Sequence, residues 1–177
     1  MDVASLGQST RLELGHGPPW GTRHLPAVDH LAVEVFEPGI AALLMRAAEL
    51  TNLVVLRGDA VALLAARVPE ASLAGIRIFF PDPWPKRRHH KRRLVQRAFV
   101  ALAATRLRPG GTLHMATDWA DYADQMRAVA DAEPLLSGGE VPRPSWRPVT
   151  KFEARALSEG RDVHDFVYSR PPCGHEG

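Results

Sequence analysis

Phe79-Phe80-Pro81-Asp82-Pro83-Trp84-Pro85-Lys86-Arg87-Arg88-His89-His90-Lys91-Arg92-Arg93 completes an apolar run that begins at Ile76. The run reads as a buried strand that delivers an acid held between two prolines, then an aromatic ring, then six Lys or Arg within residues 86 to 93. Proline fixes its own φ and biases the residue before it toward extended conformations. Asp82 is therefore expected to be held stiffly at the end of a buried strand, beside a surface suited to polyanions.

The charge is local. The chain carries 22 Lys plus Arg against 20 Asp plus Glu, a net charge of +2. Without the six cations of residues 86 to 93 the remainder is −4. A concentrated basic stripe on a mildly acidic chain points to a specific anionic partner, with nucleic acid the usual one; a solvated helix face is the plainer reading. At 177 residues the length suits a single domain, expected over 1 to 170 with a frayed tail at 171 to 177. One cysteine, Cys173, rules out a disulfide framework or a Cys-based metal site within the chain and suggests a reducing compartment. His89 and His90 read as members of the basic stripe, so no metal is expected. With neither a leader-like start nor a run of membrane-spanning length, the expectation is a cytoplasmic protein with no membrane partner.

Outward from this stretch, strands and helices alternate. Upstream, Arg11 to Leu14 and His30 to Phe36 read as strands, and Ile40, Leu43, Leu44, Ala47 and Ala48 recur at helical spacing. Leu53 to Leu56 is a third strand, followed by a short helix with Val61, Leu64, Ala65 and Val68; Gly75 to Phe80 is the fourth. Downstream, Leu94, Val95, Ala98, Phe99 and Leu102 form an amphipathic helix that stops at Arg108-Pro109-Gly110-Gly111. Thr112 to Thr117 is a strand, Tyr122, Met126 and Val129 mark a helix, residues 137 to 148 look like a long loop, and Val163 to Tyr168 is a last strand. This order predicts an α/β fold, an open and mostly parallel doubly wound sheet with helices on both faces.

In such sheets, ligands bind beyond the carboxyl ends of the strands, where strand order reverses. Glu13 lies near the end of the first strand, and Glu34, Asp59, Asp82 and Asp118 fall at or just beyond the ends of later ones. Together they read as a pocket for a ligand rich in hydroxyls and amines, although singly Asp59, Asp82 or Asp118 could cap the next helix or turn. Gly15-His16-Gly17-Pro18-Pro19-Trp20-Gly21 followed by Glu34 has the layout of a nucleotide-binding first unit, or else is an ordinary Gly/Pro turn. Thr150, Lys151, Phe152 and Glu153 supply hydroxyl, ammonium, ring and carboxylate, a mixture that suits an unstacked base; the plainer reading is a cap for a short helix. Trp84 and Trp119 each follow an acid closely and either wall the site or pack.

Phe79 to Arg93, Met115-Ala116-Thr117-Asp118-Trp119 and Arg147-Pro148-Val149-Thr150-Lys151-Phe152-Glu153-Ala154-Arg155, in that order, resemble the bacterial tRNA (guanine-N7)-methyltransferases. The likeness covers about residues 30 to 170. It implies a class I methyltransferase sheet, Rossmann-like, with an antiparallel last strand, and S-adenosylmethionine as methyl donor to a guanine of the tRNA variable loop. It also implies cofactor contacts at Glu13, Glu34, Asp59 and Asp82, with Gly15 and Gly17 in the glycine turn. Guanine or RNA contacts are implied at Lys86, Asp118, Thr150, Lys151, Phe152 and Glu153, and RNA contacts along Arg88 to Arg93, including Lys91 and Arg92. Asp82 is the expected catalytic carboxylate. The chain departs from the family at Pro19, where relatives carry a third glycine, and in a shortened interval between the turn and Glu34. These departures suggest a second reading, an RNA-binding relative that has lost its cofactor.

Overall fold

The computed structural model describes the backbone of 11–14, residues 29–34, 37, 40, 41, 44, 45, 48 and 49, and residues 51–147 and 149–172, except the side chain of Lys151. The strands are β1 (Arg11–Leu14), β2 (His30–Glu34), β3 (Leu53–Arg57), β4 (Leu73–Phe79), β5 (Leu107–Thr117), β6 (Ser137–Val141) and β7 (His164–Ser169). Between them lie α1 (Ala60–Arg67), a 3-10 helix at Arg87–Arg92, α2 (Arg97–Arg106), α3 (Ala120–Asp131) and α4 (Lys151–Ser158).

One sheet contains all seven strands in the order β3-β2-β1-β4-β5-β7-β6. β1 to β5 are mutually parallel, while β7 runs antiparallel to β5 and to β6. Strand order therefore reverses between β1 and β4, and the peptide that leaves β4 at Phe79 opens toward that crevice.

Alternation along the strands separates two chemically different faces. Leu31 and Val33, Ile76 and Ile78, Leu113 and Met115, Phe166 and Tyr168 share one face. There they join a core with Leu64 of α1, Phe99, Val100 and Ala103 of α2, and Tyr122 and Met126 of α3. On the opposite face, Arg77 is level with His114, and Phe79 is level with Ala116 and Asp165. Buried polar groups, among them Arg77, His114 and Asp165, gather on this second face.

Several boundaries depart from the sequence reading for visible reasons. Leu94 and Val95, expected in a helix, precede α2, because the Val95 N–H donates to the Tyr122 hydroxyl at 3.0 Å instead of to a helical carbonyl. β5 starts at Leu107 and runs through Pro109-Gly110-Gly111, with a register shift against β4 between Leu73 and Gly75. A Cβ on Gly111 would sit 2.8 Å from the Leu73 carbonyl oxygen, so Gly111, part of what looked like a stop signal, permits close strand approach. Leu44, expected on the buried face of the helix after Pro38, is exposed.

The expected loop at 137 to 148 instead begins with edge strand β6. Its Ser-Gly-Gly composition imitates a loop, but a Cβ on Gly138 would meet the Val167 carbonyl and come within 2.7 Å of Tyr168 Cα. Gly139, the next residue, has open space around it. Gly138→Ala should therefore cost about 1–3 kcal/mol in urea denaturation, and Gly139→Ala about 0.5 kcal/mol or less. Equal effects would contradict this packing of β6 on β7.

Candidate functional site

The strand order lines up the ends of β3, β2, β1, β4 and β5, which carry Asp59, Glu34, Glu13, Asp82 and Asp118 respectively. The Gly58 N–H donates to the Glu34 carbonyl at 3.1 Å, which sets Glu34 and Asp59 side by side. Glu34 is buried, and Asp59 is the N-cap of α1, accepting from Val61 N at 2.7 Å and Ala62 N at 3.2 Å through Oδ1. Asp59 therefore performs the capping role that the sequence left open. Glu13 has a described backbone only, in register with Ala32 and Arg77. Gly15, Gly17, Pro18 and Pro19 lie outside the described residues.

Asp82 occupies a constrained loop. Phe80 and Trp84 both have left-handed backbones, with φ of 52° and 44°, although each precedes a proline. Non-glycine residues in this region cost about 1–3 kcal/mol each and persist only where their surroundings enforce them. At one end the loop is tied by Phe80 N to the Ala116 carbonyl at 2.8 Å, and at the other by Arg93 Nε to the Pro83 carbonyl at 2.8 Å. Trp84 packs edge-on to His89 at 5.8 Å and under the Arg92 guanidinium at 4.9 Å. Asp82 itself is exposed and forms no hydrogen bond or ion pair among the described residues.

The basic run folds into the 3-10 helix. Lys86, Arg87, Arg88, Lys91 and Arg92 are exposed, and none pairs with a carboxylate among the described residues. Arg93, expected to contact RNA, departs from the pattern: it is buried and bonds inward to Pro83, Gln125 and Asp121. The apolar residues that follow dock on α3 and carry Arg93 inside with them.

Asp118 does not cap α3, whose N-cap is Trp119. Its carboxylate pairs with Arg161 at 2.9 Å, and the Arg161 guanidinium lies 5.9 Å over the Trp119 ring. Thr150 caps α4, accepting from Glu153 N at 3.0 Å, while Phe152 is partly exposed and Lys151 opens the helix. The Glu153 carboxylate turns inward to Arg147, which donates to it at 2.6 and 3.2 Å and to both Asp165 oxygens at 3.1 and 2.7 Å. Arg143 adds a contact to Glu153 at 2.6 Å and a very short one to the Arg147 carbonyl. Above Arg147 lie the rings of Phe79 and Phe80, each 5.6 Å away. The α4 segment is thereby joined to the strand end that delivers Asp82.

Reading residues alone missed Arg147, Asp165, His114 and Arg161. The available signal was polar residues interrupting apolar strands, at His114 in β5 and Asp165 in β7. His114 Nε2 lies 2.8 Å from Asp165 Oδ1, and its ring is edge-on to Phe79 and Trp146, with the Arg77 guanidinium over the Trp146 ring at 4.5 Å. Burial holds the His114 imidazole below its ordinary pKa; the Asp165 bond opposes this and the charges of Arg147 and Arg77 reinforce it. For Asp165, burial alone would raise the carboxyl, but the His114 hydrogen bond and Arg147 outweigh it and hold it low. At neutral pH the His114–Asp165 pair is therefore a neutral imidazole beside an ionised carboxylate.

The parallel sheet with its antiparallel β7, and the row of acids across the strand ends, define a class I methyltransferase. Solved structures agree on the fold: an N-methyltransferase from Bradyrhizobium japonicum (14% identity, TM-score 0.60, covering 96% of this chain and 90% of that one) and an rRNA methylase from Streptococcus thermophilus (13%, 0.62, 95% and 90%). Residues 21–166 match a family model described as "Putative methyltransferase". The chain is 51% identical over 168 residues to the tRNA (guanine-N(7)-)-methyltransferase of Paracidovorax citrulli, covering 90% of this chain and 68% of that protein. It is likewise 51% identical to that of Verminephrobacter eiseniae (90% and 61%) and 49% identical to that of Thiobacillus denitrificans (90% and 74%). The chain belongs to the tRNA (guanine-N7)-methyltransferase family, and it spans 61% to 74% of the length of these three relatives. Among the described residues, no helix is long and apolar enough to cross a membrane, and no group of three or more His, Cys, Asp or Glu could hold a metal ion.

The buried network makes a pH-dependent contribution to stability. Unfolded His114 takes up a proton below about 6.5, whereas the folded group resists to a lower pH. Its contribution is thus complete above 6.5 and lost as the pH falls through the lowered folded value. Asp165 acts in the same sense from its ordinary value of 3.8 downward. The urea midpoint should fall between about pH 7 and 5, and His114→Gln, which retains a donor toward Asp165, should reduce that fall. An undiminished fall in the variant would place the effect elsewhere.

Proposed function

We propose that the chain transfers a methyl group from S-adenosylmethionine to N7 of a guanine in the tRNA variable loop, as a cytoplasmic enzyme. The observation that carries this reading is the position of Asp82: exposed, without an ion-pair partner among the described residues, on a constrained strand-end loop that leads straight into five exposed cations, none of which pairs with a carboxylate among the described residues. Family membership supplies the reaction class.

Glu34, Asp59 and Asp82 at neighbouring strand ends offer oxygen acceptors. That set fits the ribose hydroxyls, adenine amine and ammonium of S-adenosylmethionine. When bound, the cofactor supplies an activated methyl group. Guanine N7 already carries a lone pair, so the chain has no strong base to provide; its task is to hold that nitrogen in line at near-attack distance. The Asp82 carboxylate accepts from the Watson-Crick edge of guanine and complements the positive charge that develops on the base. Asp118, paired with Arg161, lies just beyond the end of the neighbouring strand β5. Phe152 presents a partly exposed ring for stacking, with Thr150, Lys151 and Glu153 shaping the helix start beneath. Lys86, Arg88, Lys91 and Arg92 neutralise phosphates.

The test is methyl transfer to two tRNA transcripts, one with the variable-loop guanine and one with adenine in its place. Methylation of the first alone is expected; methylation of both, or of neither, would reject the reading. Asp82→Asn should lower kcat by roughly 10²-fold while tRNA affinity stays within about twofold. Reversing Arg88, Lys91 and Arg92 to Glu should weaken tRNA binding and flatten its log–log salt slope by about one per phosphate contact removed. An unchanged slope in filter binding would remove the basic run from RNA recognition.

A further inference from the structure

Of the six cations between Lys86 and Arg93, Arg93 alone is buried, with 1% of its side chain exposed. Nε donates to the Pro83 carbonyl at 2.8 Å, Nη1 to Gln125 Oε1 at 3.0 Å and Nη2 to Asp121 Oδ2 at 2.6 Å, with His90 Nε2 at 3.1 Å. The guanidinium plane lies 4.7 Å over the Tyr122 ring. Asp121, Tyr122 and Gln125 all belong to α3, which sits in the core through Tyr122 and Met126. The Pro83 carbonyl belongs to the residue immediately after Asp82.

We propose that Arg93 is a positioning residue for methyl transfer: it ties the Asp82 loop to α3 and so fixes where the Asp82 carboxylate meets the base. This rests on the role given to Asp82 above. The loop needs such a tie because Pro81, Pro83 and Pro85 have no N–H, leaving few amides with which it could bond to the scaffold. It also holds two left-handed residues, Phe80 and Trp84, which relax unless restrained. Its incoming end is paired with β5 through Phe80 N, but among the described residues the Arg93 bond is the only one to a carbonyl of residues 82 to 85. A planar fork serves this purpose: one guanidinium reaches a carbonyl, an amide and a carboxylate at fixed angles while stacking on a ring, which a lysine ammonium does not reproduce. A shift of about 1 Å in a positioning group costs on the order of 10²-fold in rate.

Arg93→Lys and Asp121→Asn test this in the full chain, the second loosening the tie from its α3 end without altering Arg93. Amide hydrogen exchange needs no activity. Arg93→Lys should speed exchange at Phe80, whose amide is bonded to the Ala116 carbonyl, at least tenfold while β5 amides hold their rates, and Asp121→Asn should do so less. With tRNA and S-adenosylmethionine, Arg93→Lys should lower kcat 10- to 100-fold and Asp121→Asn three- to tenfold, with tRNA affinity within twofold and the salt slope unchanged. If Arg93→Lys does not fold, Asp121→Asn decides on the same readouts. Unaltered loop exchange overturns the proposal. So does a loss confined to tRNA affinity with a slope reduced by about one, which would make Arg93 a phosphate contact. If the wild-type chain methylates no tRNA, the proposed function fails by itself, and loop exchange still decides whether Arg93 holds the loop.

Discussion

Arg147 is wholly buried and clamps two carboxylates that come from different parts of the chain, Glu153 at the start of α4 and Asp165 in β7. Both are themselves buried, so none of the three charges is shared with solvent. Removing one partner from such a set typically costs about 3–5 kcal/mol, because a buried charge is left uncompensated. The geometry explains why it is tolerated: each carboxylate receives two N–H bonds from the guanidinium, and His114 completes Asp165. Phe79 and Phe80 rest against the same guanidinium. One residue thus fixes the end of β4, the antiparallel last strand and the α4 segment relative to one another.

This division of labour follows from the sheet. Its apolar face packs against α1, α2 and α3, where area buried from water supplies the cohesion. Its other face is held by charge and ring contacts, which are directional and therefore position groups rather than merely collect them. Tyr122 bridges the two regimes: it is buried in the apolar core, yet it accepts from Val95 N and lies under Arg93. Burial pushes its hydroxyl up to about 12, against the Val95 bond and the Arg93 charge that favour ionisation, so it remains a neutral acceptor.

The Asp82 loop and the basic run divide into groups that hold and groups left open. Trp84 lies under Arg92 and edge-on to His89, and Arg93 points inward, while Asp82 and the other cations are exposed. Under the proposed function, affinity for a polyanion and placement of a carboxylate are thus supplied by neighbouring residues of one short segment. The two requirements need opposite environments, exposure for counterion release and burial for rigidity.

Hydrophobic alternation and the punctuation of Pro, Gly and Asp made five parallel strands, the helices of the apolar face and the row of strand-end acids legible, because those signals are local. The stiffness of Asp82 was readable from its two flanking prolines, Pro81 and Pro83. Local signals failed where a residue's role depends on a distant partner. Gly138 and Gly139 read as loop, but one of them admits the backbone of β7. Thr150 and Glu153 read as base contacts, with a helix cap as the plainer alternative, and Glu153 turned inward because Arg147 waits there. Arg93 was indistinguishable from its basic neighbours until packing of Val95 on Tyr122 drew it inside. The sequence by itself determined which strands form and which residue types crowd their ends. Only the tertiary structure decided which charges meet each other and which face solvent, since charge pairing depends on distances across the fold that no spacing along the chain encodes.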